Sequence, residues 1–369
     1  MFALAFYVSL KQYCRLALRL FFRQWQVRFV APLPKGPVIF VANHQSAFMD
    51  AILVICSSAA NPWSIARANI FGKPWAVKAL TLVQIKPLYR FRDGFSTMRK
   101  NDAAMEEYAQ MLINGKSLLI FAEGNDDGYW KLRPLQKGFA RIALRAEEKS
   151  NYTLGLTIVP VGIQYEDHAK FRSRVLVTFG EAIPVVSHQA ASTDNGRSPK
   201  DELDTDTLMN KTSDGLKPLM LHIAGDGDEY ERKVSYLYQH HVTQNDLAAQ
   251  LAADQAIVKN IPANLENIAP VRTKKSWPWL NPLFLYAFIN HLLPGSIITW
   301  FVKKKVHNEQ FHSSIQYAFG LVLVPLFYGL QTGLFFSITH SGLWSLIYFI
   351  SLPISLSLTG RKLVVSPLA

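Results

Sequence analysis

Cysteine is nearly absent from this chain: among 369 residues only Cys14 and Cys56 occur. Two thiols exclude a disulfide framework and point to a cytosolic setting for the globular part. Acidic residues are missing from the start. No Asp or Glu precedes Asp50, whereas Lys11, Arg15, Arg19, Arg23, Arg28 and Lys35 all do. No G-x-S-x-G occurs, so no serine-nucleophile elbow is expected. The ten histidines lack metal-ligand spacing, so no metal is expected. The N-terminus lacks a basic region before its apolar stretch and a clear A-x-A site, and it reads as retained.

What is present is cationic and apolar. The chain is 49% hydrophobic and carries a net charge of +12, with a pI near 9.5. That balance implies an anionic partner. The early cations sit among Phe, Leu, Trp and Tyr, which favours anionic lipid at a membrane surface and argues against nucleic acid. Residues 2–26 have helical spacing. Lys11, Arg15, Arg19 and Arg23 form one stripe; Phe6, Leu10, Cys14, Leu18 and Phe22 form its neighbour. Residues 1–36 are therefore expected to be an amphipathic membrane-interface helix with its lead-out.

Residues 37–185 alternate between strand-like and helix-like stretches. Strands are expected at 37–42, 82–85, 117–121, 156–161 and 175–179, and helices at 46–57, 101–113 and 138–146. The fold class is α/β, a mixed sheet flanked by helices. Residues 186–276 begin as a polar, turn-rich loop and continue as helical spacers around 208–223 and 230–256. Residues 277–369 hold three apolar stretches: 277–302, 315–336 and 343–358. A membrane span needs about 20 apolar residues, so the second is long enough and the third marginal. Lys274–Lys275, Lys303–Lys305 and Arg361–Lys362 flank these stretches. The positive-inside rule puts all three clusters on the cytoplasmic side. The first stretch then becomes a re-entrant hairpin turning at HLLPG (291–295). The other two form a second hairpin with THSG (339–342) at its tip.

The most chemical stretch is NHQSAFMD, residues 43–50, directly after the apolar run PVIFVA. Residues six apart on an ideal helix are separated by ~240°, so His44 and Asp50 meet only if the chain bends between them. A strand exit followed by a helix supplies that bend, with Ser46 as N-cap. A carboxylate on one imidazole nitrogen fixes the tautomer and leaves the other nitrogen as a base. With no activated Ser or Cys beside it, the base would deprotonate a hydroxyl on a substrate. Taken alone, the octapeptide fits a capping turn with an unrelated Asp equally well. Three more polar clusters end strand-like runs: PLYRFRDG (87–94), FAEGNDDG (121–128) and IVPVGIQY (158–165). LRPLQKGFARIAL (132–144) places Lys137–Gly138 at a helix start, a natural anion site. Polar groups at successive strand exits suit a ligand crevice on an α/β sheet.

In this order the blocks resemble the glycerolipid acyltransferase superfamily, the glycerol-phosphate and lysophosphatidate acyltransferases. The resemblance runs from about Pro37 to Pro184, and the chain looks like a bacterial membrane-bound branch. The family's first block is usually His, four residues, Asp; one branch has five, and NHQSAFMD matches that His-x5-Asp form. LYR matches the second block at Arg90, FAEGN the third at Glu123 and Gly124, and IVPVG the fourth at Pro160. Ala122, Asn125 and Asp126 replace the usual Pro, Thr and a common Arg.

The resemblance implies transfer of a fatty acyl group from acyl-CoA or acyl carrier protein to a hydroxyl of glycerol 3-phosphate or 1-acylglycerol 3-phosphate. It implies His44 as base, oriented by Asp50, with no covalent enzyme intermediate and no cofactor. Backbone N–H groups near the motif are candidates for the oxyanion. Arg90 and Lys137 would hold the acceptor phosphate, with Arg92 a weaker candidate. Arg133 or Lys137 would compensate the two acids that follow Asn125. Glu123 would bond the glycerol hydroxyl or support the basic residues; Gly124 and Pro160 complete the blocks. Thioester donors place the site on the cytoplasmic face of the inner membrane. Two alternatives stay open: another lysolipid or aminolipid acceptor, and a lipid-binding protein that has lost catalysis. Both arise from the altered third block.

Overall fold

Val38–Ala42 (β2) is buried on both faces, as its unbroken apolar run requires of a central strand. A computed structural model describes residues 2–89, 96–186, 204–262 and 282–359. Around β2 stand Gln24–Phe29 (β1), Trp63–Arg67 (β3), Ile85–Leu88 (β4), Leu118–Phe121 (β5), Thr157–Tyr165 (β6), Arg174–Phe179 (β7) and Ile183–Pro184 (β8). Among the described residues they form one sheet in the order β1-β7-β6-β2-β5-β3-β4, with β8 on β6. β2 is parallel to both β5 and β6, whereas β6 and β7 are antiparallel. The sheet is mixed, and helices cover both faces. Phe2–Phe21 (α1) and Ala47–Ser57 (α2) share a core with Val159, Val161 and Ile163 of β6. Ser96–Ile113 (α4), Gly138–Lys149 (α5) and Thr205–Leu216 (α6) share the opposite core with Ile158. The remaining helices are Pro74–Leu82 (α3), Gly227–His240 (α7), Leu247–Lys259 (α8), Pro282–Lys305 (α9), His312–Thr339 (α10) and Gly342–Thr359 (α11).

Several sequence expectations are corrected. The N-terminal helix stops at Phe21, and Gln24–Phe29 pairs in parallel with β7 as an edge strand. The open edge of β7 gives those backbone groups partners that helical continuation would forfeit, so the sheet claims part of the segment assigned to the interface helix. Lys11 of the cationic stripe is buried; its Nζ donates to Ala60 O at 2.7 Å and Asn61 Oδ1 at 3.0 Å. Strand β3 was not foreseen, and β4 lies three residues beyond its expected start. The helical stretch 230–256 is two helices, because Asp246 caps α8 by accepting from the N–H groups of Ala248 and Ala249.

The largest correction is at the C-terminal region. HLLPG is no turn: α9 runs unbroken for 24 residues with Pro294 inside it. Only one backbone donor is missing at a proline, and a bundled apolar helix tolerates that loss. Tyr328 of α10 meets His291, and Phe319 meets Phe301, so α9 and α10 are antiparallel. The α10–α11 hairpin does turn at His340–Ser341. The Pro282–Lys305 and Glu309–Thr339 segments are long and apolar enough to cross a membrane. Lys274, Lys275, Arg361 and Lys362 lie outside the described residues, as does most of the polar loop at 187–203.

Candidate active site

Asn43 marks where β2 stops pairing through its backbone. Its side chain continues the ladder, with Nδ2 donating to Ile163 O at 3.0 Å and Oδ1 accepting from Ile163 N–H at 2.7 Å. The main chain is thereby freed to peel away from the sheet. It bends sharply: Ala47, the first residue of α2, has φ +39°. The bend brings Asp50 back beneath the loop. His44 Nδ1 lies 2.8 Å from Asp50 Oδ2.

Asp50 is completely buried, and such a charge needs full hydrogen bonding. Oδ2 also accepts from the N–H groups of Gln45 at 2.7 Å and Ser46 at 2.8 Å, while Oδ1 accepts from the Tyr165 hydroxyl at 2.5 Å. Burial, and then the carboxylate itself, pushes the Tyr165 phenol well up, which keeps it a donor. A carboxylate at Nδ1 holds the proton there, so Nε2 carries the lone pair. Nε2 has no hydrogen-bond partner among the described residues. The ring is partly exposed and stacks on Phe121, centroids 4.4 Å apart. Ser46 stands at the N-cap, but its side chain makes no capping bond; the Asp50 carboxylate takes its N–H instead.

Glu123 and Gly124 follow β5, the strand beside β2. Glu123 Oε1 accepts the His44 N–H at 2.9 Å, and Oε2 accepts Arg133 Nε at 2.8 Å and Arg133 N–H at 3.1 Å. Burial pushes the Glu123 carboxyl up, against the pull of Arg133. Gly124 has φ +75°, a left-handed turn that suits glycine. Of the two roles open to Glu123, this geometry fits the second: both oxygens are spent on His44 and Arg133. Arg133 is also committed, reaching Asp127 Oδ2 at 3.1 Å, His44 O at 3.3 Å and the Asn125 carbonyl. The N–H groups of His44, Gln45 and Ser46 all point inward to carboxylates, so none is free for an oxyanion.

The other anticipated residues are not gathered here. Lys137 Nζ pairs with Asp206 Oδ1 of α6 at 2.8 Å, both half-exposed. No hydrogen bond or ion pair joins it to His44, Asp50 or Glu123 among the described residues. Pro160 is buried mid-strand opposite Val41, on the sheet face that α6 covers, where its ring lies against Gly215. Arg90 and Arg92 lie outside the described residues. Cys56 is buried, and burial pushes its thiol up to about 12, which suits no nucleophile.

Two residues at the site were missed. Tyr165 ends IVPVGIQY, a strand already singled out, and a hydroxyl-bearing aromatic at that exit was the available signal. Arg67 ends WSIAR, an unrecognised strand. Its Nη2 donates to Gly124 O at 3.0 Å and to Asn125 Oδ1, and among the described residues no carboxylate offsets its charge. It is an exposed cation beside the Glu123 turn.

Residues 24–164 match the family model described as Acyltransferase. Glycerol-3-phosphate O-acyltransferase 1 of Saccharomyces cerevisiae is 32% identical over 106 residues, which are 29% of this chain and 14% of that protein's length. The crystal structure of the 1-acyl-sn-glycerophosphate (LPA) acyltransferase from Thermotoga maritima aligns over 52% of this chain and 69% of that one, with 20% identity and a TM-score of 0.35.

Proposed function

Through its acyltransferase domain the chain belongs to the glycerolipid acyltransferase superfamily, and from that premise we propose that it moves a fatty acyl group from a thioester to a hydroxyl of a phosphorylated glycerol or its 1-acyl ester. The observation that carries this reading is the His44–Asp50 contact at a strand exit, with Nε2 unbonded. In the proposed step Nε2 takes the proton of the acceptor hydroxyl as its oxygen attacks the thioester carbonyl. The C–O bond forms, the C–S bond breaks, and the imidazolium returns its proton to the departing thiolate. Acyl-CoA and acyl carrier protein both fit as donors. Arg67 is the described cation best placed for the acceptor phosphate; the sequence resemblance implies the same role for Arg90.

Membranes carrying the full chain, incubated with labelled acyl-CoA or acyl carrier protein and a panel of acceptors, test the reading. Transfer to glycerol 3-phosphate or 1-acylglycerol 3-phosphate supports it. Transfer confined to unphosphorylated or amino acceptors sinks it. One observation favours such another acceptor: Arg133 is already offset by Glu123 and Asp127. In the same assay Arg67→Ala is expected to raise the acceptor KM ~10- to 100-fold, the worth of a charge-assisted hydrogen bond, and to leave the donor KM nearly unchanged. Equal effects on both would remove Arg67 from the phosphate site.

The site would face the cytosol, where thioesters and glycerol phosphates are found. The start of α10 packs against the catalytic loop, so Lys304 lies at the catalytic end of the bundle and Ser341 at the other. Single cysteines at these two positions, in a background without Cys14 and Cys56, can be probed with an impermeant thiol reagent. We expect Lys304→Cys to be protected in intact cells. Its labelling from outside would reverse the proposed orientation.

A further inference from the structure

The turn that carries the catalytic pair is strained. Ala47 sits in the left-handed region at φ +39°, where a Cβ is disfavoured, and Ser46 before it has φ −138° and ψ 62°. Such backbone persists only when its surroundings over-determine it. The turn closes on itself through the Met49 N–H, which donates to Ser46 O at 3.0 Å, and a second hold on it comes from far along the chain. Ser314 Oγ donates to Ser46 O at 3.0 Å and accepts the N–H of Met49 at 3.0 Å. One hydroxyl thus clasps both ends of the four-residue turn that contains Ala47. Ser313 Oγ adds a bond of 2.7 Å to Ser46 Oγ. Ser46, Met49, Ser313 and Ser314 are all buried. Both serines belong to the first turn of α10, which α1 pins in place through the Tyr317 hydroxyl and Cys14 O at 2.7 Å.

We infer that Ser314 is a positioning residue: by clasping the strained turn it keeps the Gln45 and Ser46 N–H groups on Asp50, and so keeps His44 aimed. The membrane-type helix would then be part of the active-site scaffold as well as an anchor. Ser314 touches no reacting atom, so its loss acts on the turnover of bound substrate and leaves substrate affinity alone. The kinetic part of this inference rests on the acyl-transfer reading; the structural part does not.

The test uses the full chain in detergent or nanodiscs. Ser314→Ala is expected to lower kcat ~10- to 100-fold, the population equivalent of the released strain, with both KM values little changed. Amide exchange at Gln45 and Ser46 should quicken by a similar factor. Glycine accepts the left-handed turn without a clasp, so adding Ala47→Gly to Ser314→Ala should restore most of kcat and most of the slow exchange. A simple packing defect at Ser314 would not be repaired by a change at 47. Wild-type kcat and exchange in Ser314→Ala, or an equal defect in the double variant, would overturn the inference. If Ser314→Ala fails to fold, the double variant decides: recovered folding with slow exchange supports the clasp, and continued failure overturns it. If the unaltered chain transfers no acyl group to any acceptor, the functional reading fails, while the exchange measurements still decide the clasp.

Discussion

His44→Ala is expected to lower acyl transfer ~10²- to 10⁴-fold, the usual worth of a positioned general base, in a protein that still folds and stays in the membrane. The second half of that expectation follows from geometry. The ring is partly exposed and its main packing partner is Phe121, so its removal costs about 1 kcal/mol of stability. Asp50 behaves differently. It is buried and anchors the Tyr165 hydroxyl and two backbone N–H groups as well as the imidazole. Asp50→Ala would strand all of those donors and endanger the fold, so Asp50→Asn is the informative change. The amide keeps the shape but removes the charge that favours an imidazolium as the proton arrives. A measurable remainder of activity is expected, above that of His44→Ala. Initial rates and thermal midpoints, taken on the same preparations, separate chemistry from folding. Near-normal turnover in His44→Ala would remove this residue as the base.

Arg133→Ala should have the largest effect on stability. It removes the guanidinium that faces a carboxylate whose side chain is only 2% exposed. Stranding one partner of a buried pair costs ~3–5 kcal/mol, and each kcal/mol lowers the midpoint by roughly 2–4 °C in a domain of this size. The loss should depend on pH with a definite sign. Burial already pushes the Glu123 carboxyl up, and without Arg133 it rises further. A raised carboxyl favours folding below its unfolded value and loses that advantage as pH rises through the folded one. The defect of Arg133→Ala should therefore shrink on acidification. Adding Glu123→Gln should recover part of the loss at neutral pH, because the neutral amide still accepts the His44 N–H. Glu123→Gln alone should cost less than Arg133→Ala, since Arg133 keeps Asp127 and two carbonyls. An Arg133→Ala chain that melts within a degree of the unaltered one would show that the pair contributes little.

The central strands, the helix after NHQSAFMD and the His44–Asp50 partnership could all be read from the residues. Each is local: an apolar run, a period, or two groups six residues apart with a bend between them. The exchange of helix for strand at Gln24–Phe29 was not local. Helical spacing runs on to residue 26, and only the unpaired edge of β7, some 150 residues on, makes a strand the better solution. Arg67 was illegible for the same reason, and so was the partner of Tyr165, though its place at a strand exit was not: what matters is which strand exits lie side by side, and that depends on the sheet order. Lys137 reads as an anion site by its place at a helix start, but the packing of α6 hands it Asp206 instead. HLLPG looks like a turn because Pro and Gly favour turns in isolation. Inside a bundle, the hydrogen bonds of His291 with Tyr328 of α10 and of Asn290 with Tyr348 of α11 hold the helix through it. More distant still is the hold of Ser313 and Ser314 on the turn between His44 and Asp50, a contact across more than 260 residues. Residue types decide which groups can do chemistry and which segments can form elements. Which of those groups meet, and what each is already spent on, is decided by long-range packing, because a hydrogen bond or an ion pair depends on distance in space and not on distance along the chain.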